Sequence, residues 1–377
     1  MKLVVTHTDP LSLARTGWFQ TGRGVVPTPI FMPVGTRAAV KALRSRDLHE
    51  LDAHIILANT YHLYLRPGTG VLEEMGGLHR FAAWDRPILT DSGGFQVYSL
   101  EGLRGIDERG VTFRSHIDGS SHSFTPESVV EMQRAIGSDI AMVLDECPPG
   151  TAPREYQERS MKRSMLWAAR ARAHHLQQRW AYGFPQAQFG IVQGGTHLDL
   201  RTWSVEALLS VGFDGYAIGG LAVGEATETM YEVVEHTTPL LPADQPRYLM
   251  GVGTPQNLLE CIARGVDMFD CVMPTRNARN GTLFTSAGKL NLRNARHRTD
   301  ERPVDEQCDC ETCRTVSRAY LRHLFNVDEI TGLTLATLHN VRFYLRLMEM
   351  ARAHIADGTY TAWMRTTLEE MGGEGRE

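Results

Sequence analysis

The sequence predicts an α/β fold, a (β/α)8 TIM barrel with inserted hairpins, from three observations. Eight short apolar runs, rich in β-branched residues, end in polar residues or glycine, as buried parallel strands do. A helix-like stretch follows most of these runs, and that alternation is typical of βα units. The length of 377 residues is long for one ordinary domain but normal for a barrel with insertions. An open doubly wound sheet would also fit the alternation, but the count of eight favours closure.

The predicted strands and helices alternate along the chain. The eight strands are residues 30–36, 54–60, 87–94, 139–146, 188–195, 213–221, 247–253 and 267–274. The segment TPESVVEMQRAIG predicts one helix, because Thr125 is a good N-cap and Pro126 suits the first turn. A basic amphipathic segment, residues 154–180, predicts another helix.

Two hairpins and a C-terminal segment are predicted outside the eight βα units. Residues 111–124 alternate around an Asp-Gly pair, which is a hairpin signal before the fourth strand. The stretch GTLFTSAGKLNLRNA predicts a second hairpin that turns at Gly288, and a helix is expected from roughly 335 to 356. We expect residues 1–377 to form a single domain that includes a metal-binding subdomain at about 282–365.

Composition and charge limit the class of protein. Hydrophobic content of 42% and charged content of 22% are typical of a soluble globular enzyme, and a net charge of −5 argues against indiscriminate nucleic-acid coating. Between Arg276 and Arg298 there are nevertheless six basic residues and no Asp or Glu. This segment predicts a local RNA or phosphate site, although a solvated face is the alternative. The sequence contains no apolar run of membrane-spanning length and no visible signal peptide, so we expect a cytoplasmic protein.

Polar residues and glycines follow the predicted strands, and the carboxyl ends of barrel strands meet at one rim. The rim would collect Asn59, Asp91, Asp145, Gln193, Gly219, Gly220, Gly251 and Asp270. Paired carboxylates make and break glycosidic bonds, so Asp270 and Asp91 predict a nucleophile and an acid/base. Asp145 and Gln193 could read the hydrogen-bonding edge of a flat heterocycle. The alternative is that each Asp is only a helix cap and each glycine only a turn.

A cysteine cluster predicts a metal site near the C-terminus. The motif CDCETC brings three thiols, Cys308, Cys310 and Cys313, within six residues. With one histidine they would close a tetrahedral structural zinc site that leaves no open position for catalysis. Spacing alone does not decide between His339 and His323, since both lie in helical surroundings.

Six motifs occur in the order DSGGFQV, FGIVQGG, GGLAVGE, YLMGVG, FDCVMPTRNARNG and CxCxxC…H. This ordered set resembles the bacterial queuine tRNA-ribosyltransferases, the tRNA-guanine transglycosylases, from about residue 5 to residue 365. The resemblance implies exchange of guanine at wobble position 34 of tRNAs with GUN anticodons (Asp, Asn, His, Tyr) for 7-aminomethyl-7-deazaguanine. It also implies a double displacement through a covalent enzyme–RNA intermediate, a role in queuosine biosynthesis, and a homodimer.

The resemblance assigns roles to residues of this chain, with Asp270 as the nucleophile and Asp91 as the general acid/base. The substrate-binding positions are Asp91, Ser92, Gly93, Gly94, Phe95, Asp145, Gln193, Gly219, Gly220 and Leu221. The RNA-contacting positions are Gly251, Val252, Gly253, Thr254, Pro255, Gln256, Asn257, Thr275, Arg276, Asn277, Ala278 and Arg279. The ligands of one structural Zn²⁺ per subunit are Cys308, Cys310, Cys313 and His339. Cys147 and Val223 match the bacterial pattern, which implies use of the aminomethyl base in preference to queuine.

Three other functions compete with this interpretation. A barrel glycosidase or nucleosidase would share the two carboxylates but would not need the TRNAR segment. A non-catalytic RNA-binding subunit could lose its nucleophile, whereas Asp91 and Asp270 are both present here. The archaeal relative that acts at position 15 usually carries extra C-terminal RNA-binding domains, which are not expected in this chain.

Overall fold

A computed structural model of the chain describes residues 1–98 and 104–372. The strands are β1 (Leu3–Thr8), β2 (Arg15–Thr21), β3 (Gly24–Thr28), β4 (Ile30–Pro33), β5 (Ile56–Asn59), β6 (Ile88–Asp91), β7 (Arg104–Ile106), β8 (Val111–Arg114), β9 (Ser121–Phe124), β10 (Ile140–Met142), β11 (Ala187–Val192), β12 (Gly215–Ile218), β13 (Arg247–Leu249), β14 (Met268–Cys271), β15 (Thr282–Thr285) and β16 (Gly288–Asn291).

The helices are α1 (Ser45–Glu50), α2 (Thr60–Leu65), α3 (Thr69–Glu74), α4 (Leu78–Phe81), α5 (Gly94–Tyr98), α6 (Pro126–Ile136), α7 (Arg154–Gln177), α8 (Leu198–Val211), α9 (Thr227–Thr237), α10 (Pro255–Ala263), α11 (Met273–Arg279), α12 (Glu311–Thr315), α13 (Arg318–Asn326), α14 (Ile330–Ala356) and α15 (Tyr360–Gly372). Short 3₁₀ helices occupy Thr238–Leu240 and Ala295–Thr299. In the described part of the chain, no helix has the length and apolar character needed to cross a membrane.

The predicted parallel barrel is confirmed. Eight strands pair in parallel in the order β4-β14-β13-β12-β11-β10-β6-β5. The two ends of this order meet through a parallel bridge between Val34 and Leu57, and the Gly35 N–H donates to the Leu57 carbonyl at 2.6 Å. Each strand overlaps its predicted run but is shorter, so the polar residues and glycines that end the runs lie at or just beyond the carboxyl ends of the strands.

An antiparallel sheet of β1, β2 and β3 precedes the barrel and was not predicted. It lies at the amino-terminal end of the barrel strands, opposite the predicted site. Arg15 and Asp267 form a buried ion pair there at 2.6 Å, and Asp267 directly precedes β14. Phe19 and Val26 are fully buried in the main core, so the sheet closes that end of the barrel with apolar side chains.

The inserted elements largely follow their predictions. The hairpin of β8 and β9 is present, and β7 adds a third antiparallel strand to it. Helix α6 begins after Thr125, whose hydroxyl accepts the Ser128 N–H at 3.1 Å, as the capping signal indicated. In the hairpin of β15 and β16, Gly288 pairs with Thr285, so the two-residue turn lies just before Gly288 rather than at it.

The C-terminal segment forms more helix than predicted. Helix α14 begins at Ile330, five residues before the expected start, and ends at Ala356 as expected. Helices α12, α13 and α15 were not predicted. Asn340 on α14 is fully buried, and its amide nitrogen donates to the carbonyls of Pro274 and Thr282 at 3.0 and 3.1 Å. Its amide oxygen accepts the Phe284 N–H at 3.0 Å, so one side chain fixes α11 against the C-terminal segment.

Candidate active site

Asp91, the last residue of β6, is held by three donors. Its Oδ1 accepts the Thr60 N–H at 2.9 Å, and its Oδ2 accepts from the amides of Asn59 at 2.5 Å and Gln96 at 2.8 Å. Asn59 ends the neighbouring strand β5, in register with Asp91. Burial raises the pKa of Asp91 to about 6, and the negative charge of Asp270 contributes in the same direction. A carboxyl group with this pKa can both give and take a proton near neutral pH.

Asp270 on β14 presents its second oxygen to the site. Its Oδ1 accepts the Tyr248 hydroxyl at 2.6 Å and the Gly251 N–H at 2.8 Å. Among the described residues, no donor reaches Oδ2, so that oxygen is the one available for nucleophilic attack. Burial raises the pKa of Asp270, while the hydrogen bonds from Tyr248 and Gly251 oppose that shift because they stabilise the ionised form.

Asp145 follows β10 as a third buried carboxyl group. Its Oδ2 accepts the amide of Gln193 at 2.7 Å, and burial raises the pKa of Asp145 to about 6, with a further contribution from the charge of Asp91. Two groups of like charge in a dry site disfavour each other's ionisation, so the site favours a proton on one of them. Asp91 and Asp145 can therefore exchange protons with a bound base.

A cavity of about 250 Å³ joins these carboxyl groups. Its lining includes the predicted positions Asp91, Ser92, Gly93, Gly94, Phe95, Asp145, Gly219, Gly220, Leu221, Gly251 and Asp270. Phe95 is 54% exposed, so its ring is accessible at the mouth of the cavity. Gln193, in contrast, is 1% exposed and lies behind the lining, where its amide contacts Asp145.

The loop after β12 carries a second arrangement of hydrogen bonds. Glu225 accepts the N–H groups of Ala222 and Val223, the latter at 3.0 Å. These contacts fix the orientation of the peptide units that follow Leu221 at the edge of the cavity. Cys147 also lines the cavity, and burial raises the pKa of its thiol to about 12, so it stays protonated.

The two predicted RNA-contacting segments lie beside the cavity but expose only part of their side chains. Gly251 is exposed, whereas Val252, Gly253 and Pro255 are buried. Thr254 caps α10 by accepting the Asn257 N–H at 3.1 Å, and Gln256 is half-buried.

The second segment forms α11. Arg276 is exposed and Asn277 and Arg279 are half-buried, while Thr275 and Ala278 are buried. A macromolecular ligand on this face would meet mainly the Arg276, Asn277 and Arg279 side chains.

Two further cations, not singled out from the sequence, lie close to α11. Arg37 and Lys41 are exposed on the loop after β4. The pKa of Lys41 is lowered by partial burial and then by the positive charges of Arg279, Arg37 and Arg276. We call Arg37, Lys41, Arg276 and Arg279 the basic patch. Like charges held this close together indicate a surface that accepts an anion.

Tyr248 and Gln96 are site residues that sequence reasoning missed. Tyr248 sits in YLMGVG, three residues before the Gly251 that was assigned to RNA contact. Gln96 follows Phe95 in DSGGFQV, inside a motif that had already been selected. A search for hydrogen-bonding side chains within two residues of the end of the predicted run 87–94 would have found Gln96.

The predicted metal-ligand group is present. The ligand atoms of Cys308, Cys310, Cys313 and His339 all lie within 4.8 Å of one another, and His339 Nδ1 lies 3.2 Å from Cys313 Sγ. His339 Nε2 lies 2.7 Å from the Phe284 carbonyl, which would orient the ring and leave Nδ1 as the ligand atom. This group can hold a metal ion, and three thiols with one imidazole fit a zinc site. The fold therefore selects His339, since His323 is not part of the group.

Comparisons with known proteins show which family of transferases this chain belongs to. The chain matches the family described as queuine tRNA-ribosyltransferase over residues 9–373. It is 56% identical to the queuine tRNA-ribosyltransferase of Solidesulfovibrio magneticus over 362 residues, which cover 96% of each chain. It is 54% identical to that of Caldanaerobacter subterraneus subsp. tengcongensis, over 100% of this chain and 99% of the relative.

A third relative bearing the same name, from Thermoanaerobacter pseudethanolicus, is 56% identical over 97% of this chain and 96% of its own. The fold, the paired carboxyl groups and these similarities define a barrel pentosyltransferase. The chain belongs to the queuine tRNA-ribosyltransferase family.

Proposed function

We propose that this enzyme exchanges guanine at position 34 of tRNAs with GUN anticodons for 7-aminomethyl-7-deazaguanine. The observation that carries the proposal is the cavity on which Asp91, Asp145 and Asp270 converge from three different strands. Its small volume suits one base rather than an oligosaccharide. The base must leave the RNA stack to reach it, as in other enzymes that act on extruded nucleotides.

The first step breaks the bond between guanine and C1′ of the ribose. The free Oδ2 of Asp270 attacks C1′ and forms a covalent bond to the sugar, while Asp91 gives a proton to the departing guanine. Asp91 is suited to this because burial raises its pKa to about 6. The products are free guanine and an enzyme–RNA adduct.

The second step reverses the first with a different base. The incoming base loses its ring N–H proton to Asp91, and the freed nitrogen attacks C1′ and releases Asp270 as a carboxylate. The incoming base, once it fills the cavity, would keep water away from C1′ and so favour exchange over hydrolysis. Net exchange without hydrolysis is what distinguishes this reaction from that of a nucleosidase.

The RNA would bind across the basic patch. Arg276 and Arg279 follow Asp270 in sequence, and Arg37 and Lys41 approach from the loop after β4. Their charges would pair with the phosphates of the anticodon loop, and such contacts make the affinity dependent on salt.

The metal group would hold one structural Zn²⁺, since four protein ligands leave no position for substrate. We also keep the homodimer as a proposal, for which sedimentation of the protein alone is the test.

Selection of the incoming base would occur at its 7-position. A cationic aminomethyl group needs acceptors, and the Leu221 carbonyl beside the peptides held by Glu225 is the candidate. A hydrogen bond to a charged group is worth about 1.5–3 kcal/mol, which corresponds to a preference of roughly 10–150-fold over an analogue without the amine.

Exchange of radiolabelled guanine into tRNA with G34, compared with the same tRNA carrying A34, tests the reaction. We expect label only in the G34 tRNA and, in the absence of a second base, release of no more than about one guanine per enzyme, which matches the amount of adduct. Continuous release of guanine from the tRNA without a second base, at the rate of guanine incorporation, would support the nucleosidase alternative. Competition between the aminomethyl base and queuine tests base selection, and equal use of both would exclude the bacterial type of pocket.

A further inference from the structure

Arg201 is a buried cation behind the base cavity. It lies in α8 and has no accessible surface. Its Nε donates to the Gly195 carbonyl, and its Nη1 donates to the carbonyls of Val192 and Gly219, each at 2.8 Å. In the described part of the chain, its side chain pairs with carbonyl oxygens and with no carboxylate.

Gly219 lines the cavity, and the other two carbonyls belong to the neighbouring strand end and its loop. Val192 ends β11, Gly195 lies in the loop that follows it, and Gly219 follows β12. The Val192 carbonyl also accepts the Gly219 N–H at 3.1 Å, so the two strand ends and the guanidinium form one connected group. Arg201 Nη2 is buried without a hydrogen-bond partner in the described part of the chain, so the bonds from Nε and Nη1 alone offset the cost of burying the charge.

Gly220 is the cavity-lining residue that this group supports. Its φ of +66° is a left-handed conformation that favours glycine. A Cβ built at Gly220 would lie 2.4 Å from Gln193 Oε1 and 3.6 Å from Arg201 Nη2. The Gln193 and Arg201 side chains therefore lie directly behind the Gly219–Gly220 peptide, and Gln193 in turn donates to Asp145.

We propose that Arg201 is a positioning residue for the incoming base, because it fixes the Gly219–Gly220 peptide that lines the base cavity. This inference rests on the proposed function. Loss of the guanidinium would let the two strand ends separate, and part of the binding free energy of the base would then be spent on ordering them. Binding of the tRNA would be affected less, because the exposed basic patch adds contacts outside the cavity.

Arg247 offers a matched control at the other end of the barrel. Its buried side chain also donates to two carbonyls, Leu241 at 2.9 Å and Gly265 at 3.5 Å. Burial lowers the pKa of both arginines to about 10. Arg247 begins β13, so its carbonyl partners are remote from the carboxyl ends of the strands that carry the site.

The experiment compares Arg201→Met and Arg247→Met, with Arg201→Lys as the conservative variant, in the guanine-exchange assay. Both Met variants should lose thermal stability. Only Arg201→Met should raise the KM for the free base, by about 10–100-fold, while the KM for tRNA should rise by a smaller factor. Arg201→Lys should recover part of the affinity for the base. If Arg201→Met does not fold, the KM values for the base are compared between Arg201→Lys and Arg247→Lys instead.

Equal base KM values in the Arg201 and Arg247 variants would overturn the proposal. Failure of both Arg201 variants to fold would also overturn it, because Arg201 would then be a residue of general stability. The wild-type protein separates this inference from the proposed function. If the wild type does not exchange guanine, the proposed function fails, whereas wild-type exchange with unaffected base KM in the Arg201 variants rejects the positioning role alone.

Discussion

Replacement of Tyr248 by phenylalanine changes one hydrogen bond at Asp270, the proposed nucleophile, and little else. The hydroxyl donates to Asp270 Oδ1 at 2.6 Å, and the Gly251 N–H donates to the same oxygen at 2.8 Å, so one of the two bonds remains in the variant. The ring of Tyr248 is 1% exposed and keeps its packing. A hydrogen bond to a charged group contributes about 1.5–3 kcal/mol, which corresponds to about 1–2 pH units in the pKa of the acceptor.

The sign of the effect follows from which form the hydrogen bond stabilises. The hydroxyl stabilises ionised Asp270, so its loss raises the pKa of Asp270, the same direction in which burial already acts. Only the ionised form attacks, and it is lost as pH falls through that pKa. We expect the acidic limb of the kcat/KM profile to move to higher pH by about 1–2 units. The profile should become narrower, because the alkaline limb set by Asp91 stays in place.

The assay is the initial rate of guanine incorporation into G34 tRNA from pH 5 to 9, at base and tRNA concentrations below KM. Tyr360→Phe is the matched control, since that buried hydroxyl donates to the Leu259 carbonyl at 2.7 Å on α10. Tyr360→Phe should lower the free energy of unfolding by a similar amount and leave the pH profile of kcat/KM unchanged. If Tyr248→Phe is as stable as Tyr360→Phe and its acidic limb does not move, the argument that this hydroxyl sets the pKa of Asp270 is refuted.

Three further outcomes are expected. Asp270→Asn should abolish exchange and the covalent RNA adduct, since an amide is a poor nucleophile; an adduct trapped on denaturing gels in this variant would contradict the assignment. Asp91→Asn should slow exchange by about 10²–10⁴-fold. It should also remove the alkaline limb, which lies near the raised pKa of Asp91, about 6, because the acid form of Asp91 is lost above that pH. An unchanged pH profile would mean that Asp91 has only a structural role. Chelation, or Cys308→Ser, should lower the melting temperature and release about one zinc per chain, as metal analysis would show; retained zinc and stability would count against the site.

The sequence predicted the rim of the barrel because two rules apply there at once. Strand ends are marked by polar residues, and the barrel brings all of those ends together. Asp91 and Asp270 were found in this way, and the structure places them on one cavity. The N-terminal sheet was missed because its strands are partly exposed and match no βα unit, although WFQTGRGVV does show two apolar stretches around a Gly-rich turn.

Tyr248 and Arg201 could not be assigned from sequence for a different physical reason. Both sides of a barrel strand are buried, so the strand RYL shows no alternation that would tell which side chain points toward Asp270. Arg201 lies on a helix, where an arginine ordinarily faces solvent, and only the folded chain shows that the guanidinium meets three carbonyl oxygens instead.

The site separates opposite charges by depth, and this arrangement explains how an acidic centre can accept a polyanion. Asp91 and Asp145 are less than 10% exposed, whereas Arg37, Lys41 and Arg276 are exposed beside the mouth. The anionic backbone of the RNA would therefore meet cations first, at a distance where attraction guides binding. Inside, raised pKa values reduce the negative charge of Asp91 and Asp145 near pH 6, which weakens their repulsion of the RNA. Only the neutral base and the C1′ carbon need to enter the region of the carboxyl groups, so the same protons that lower this repulsion are available for glycosidic chemistry.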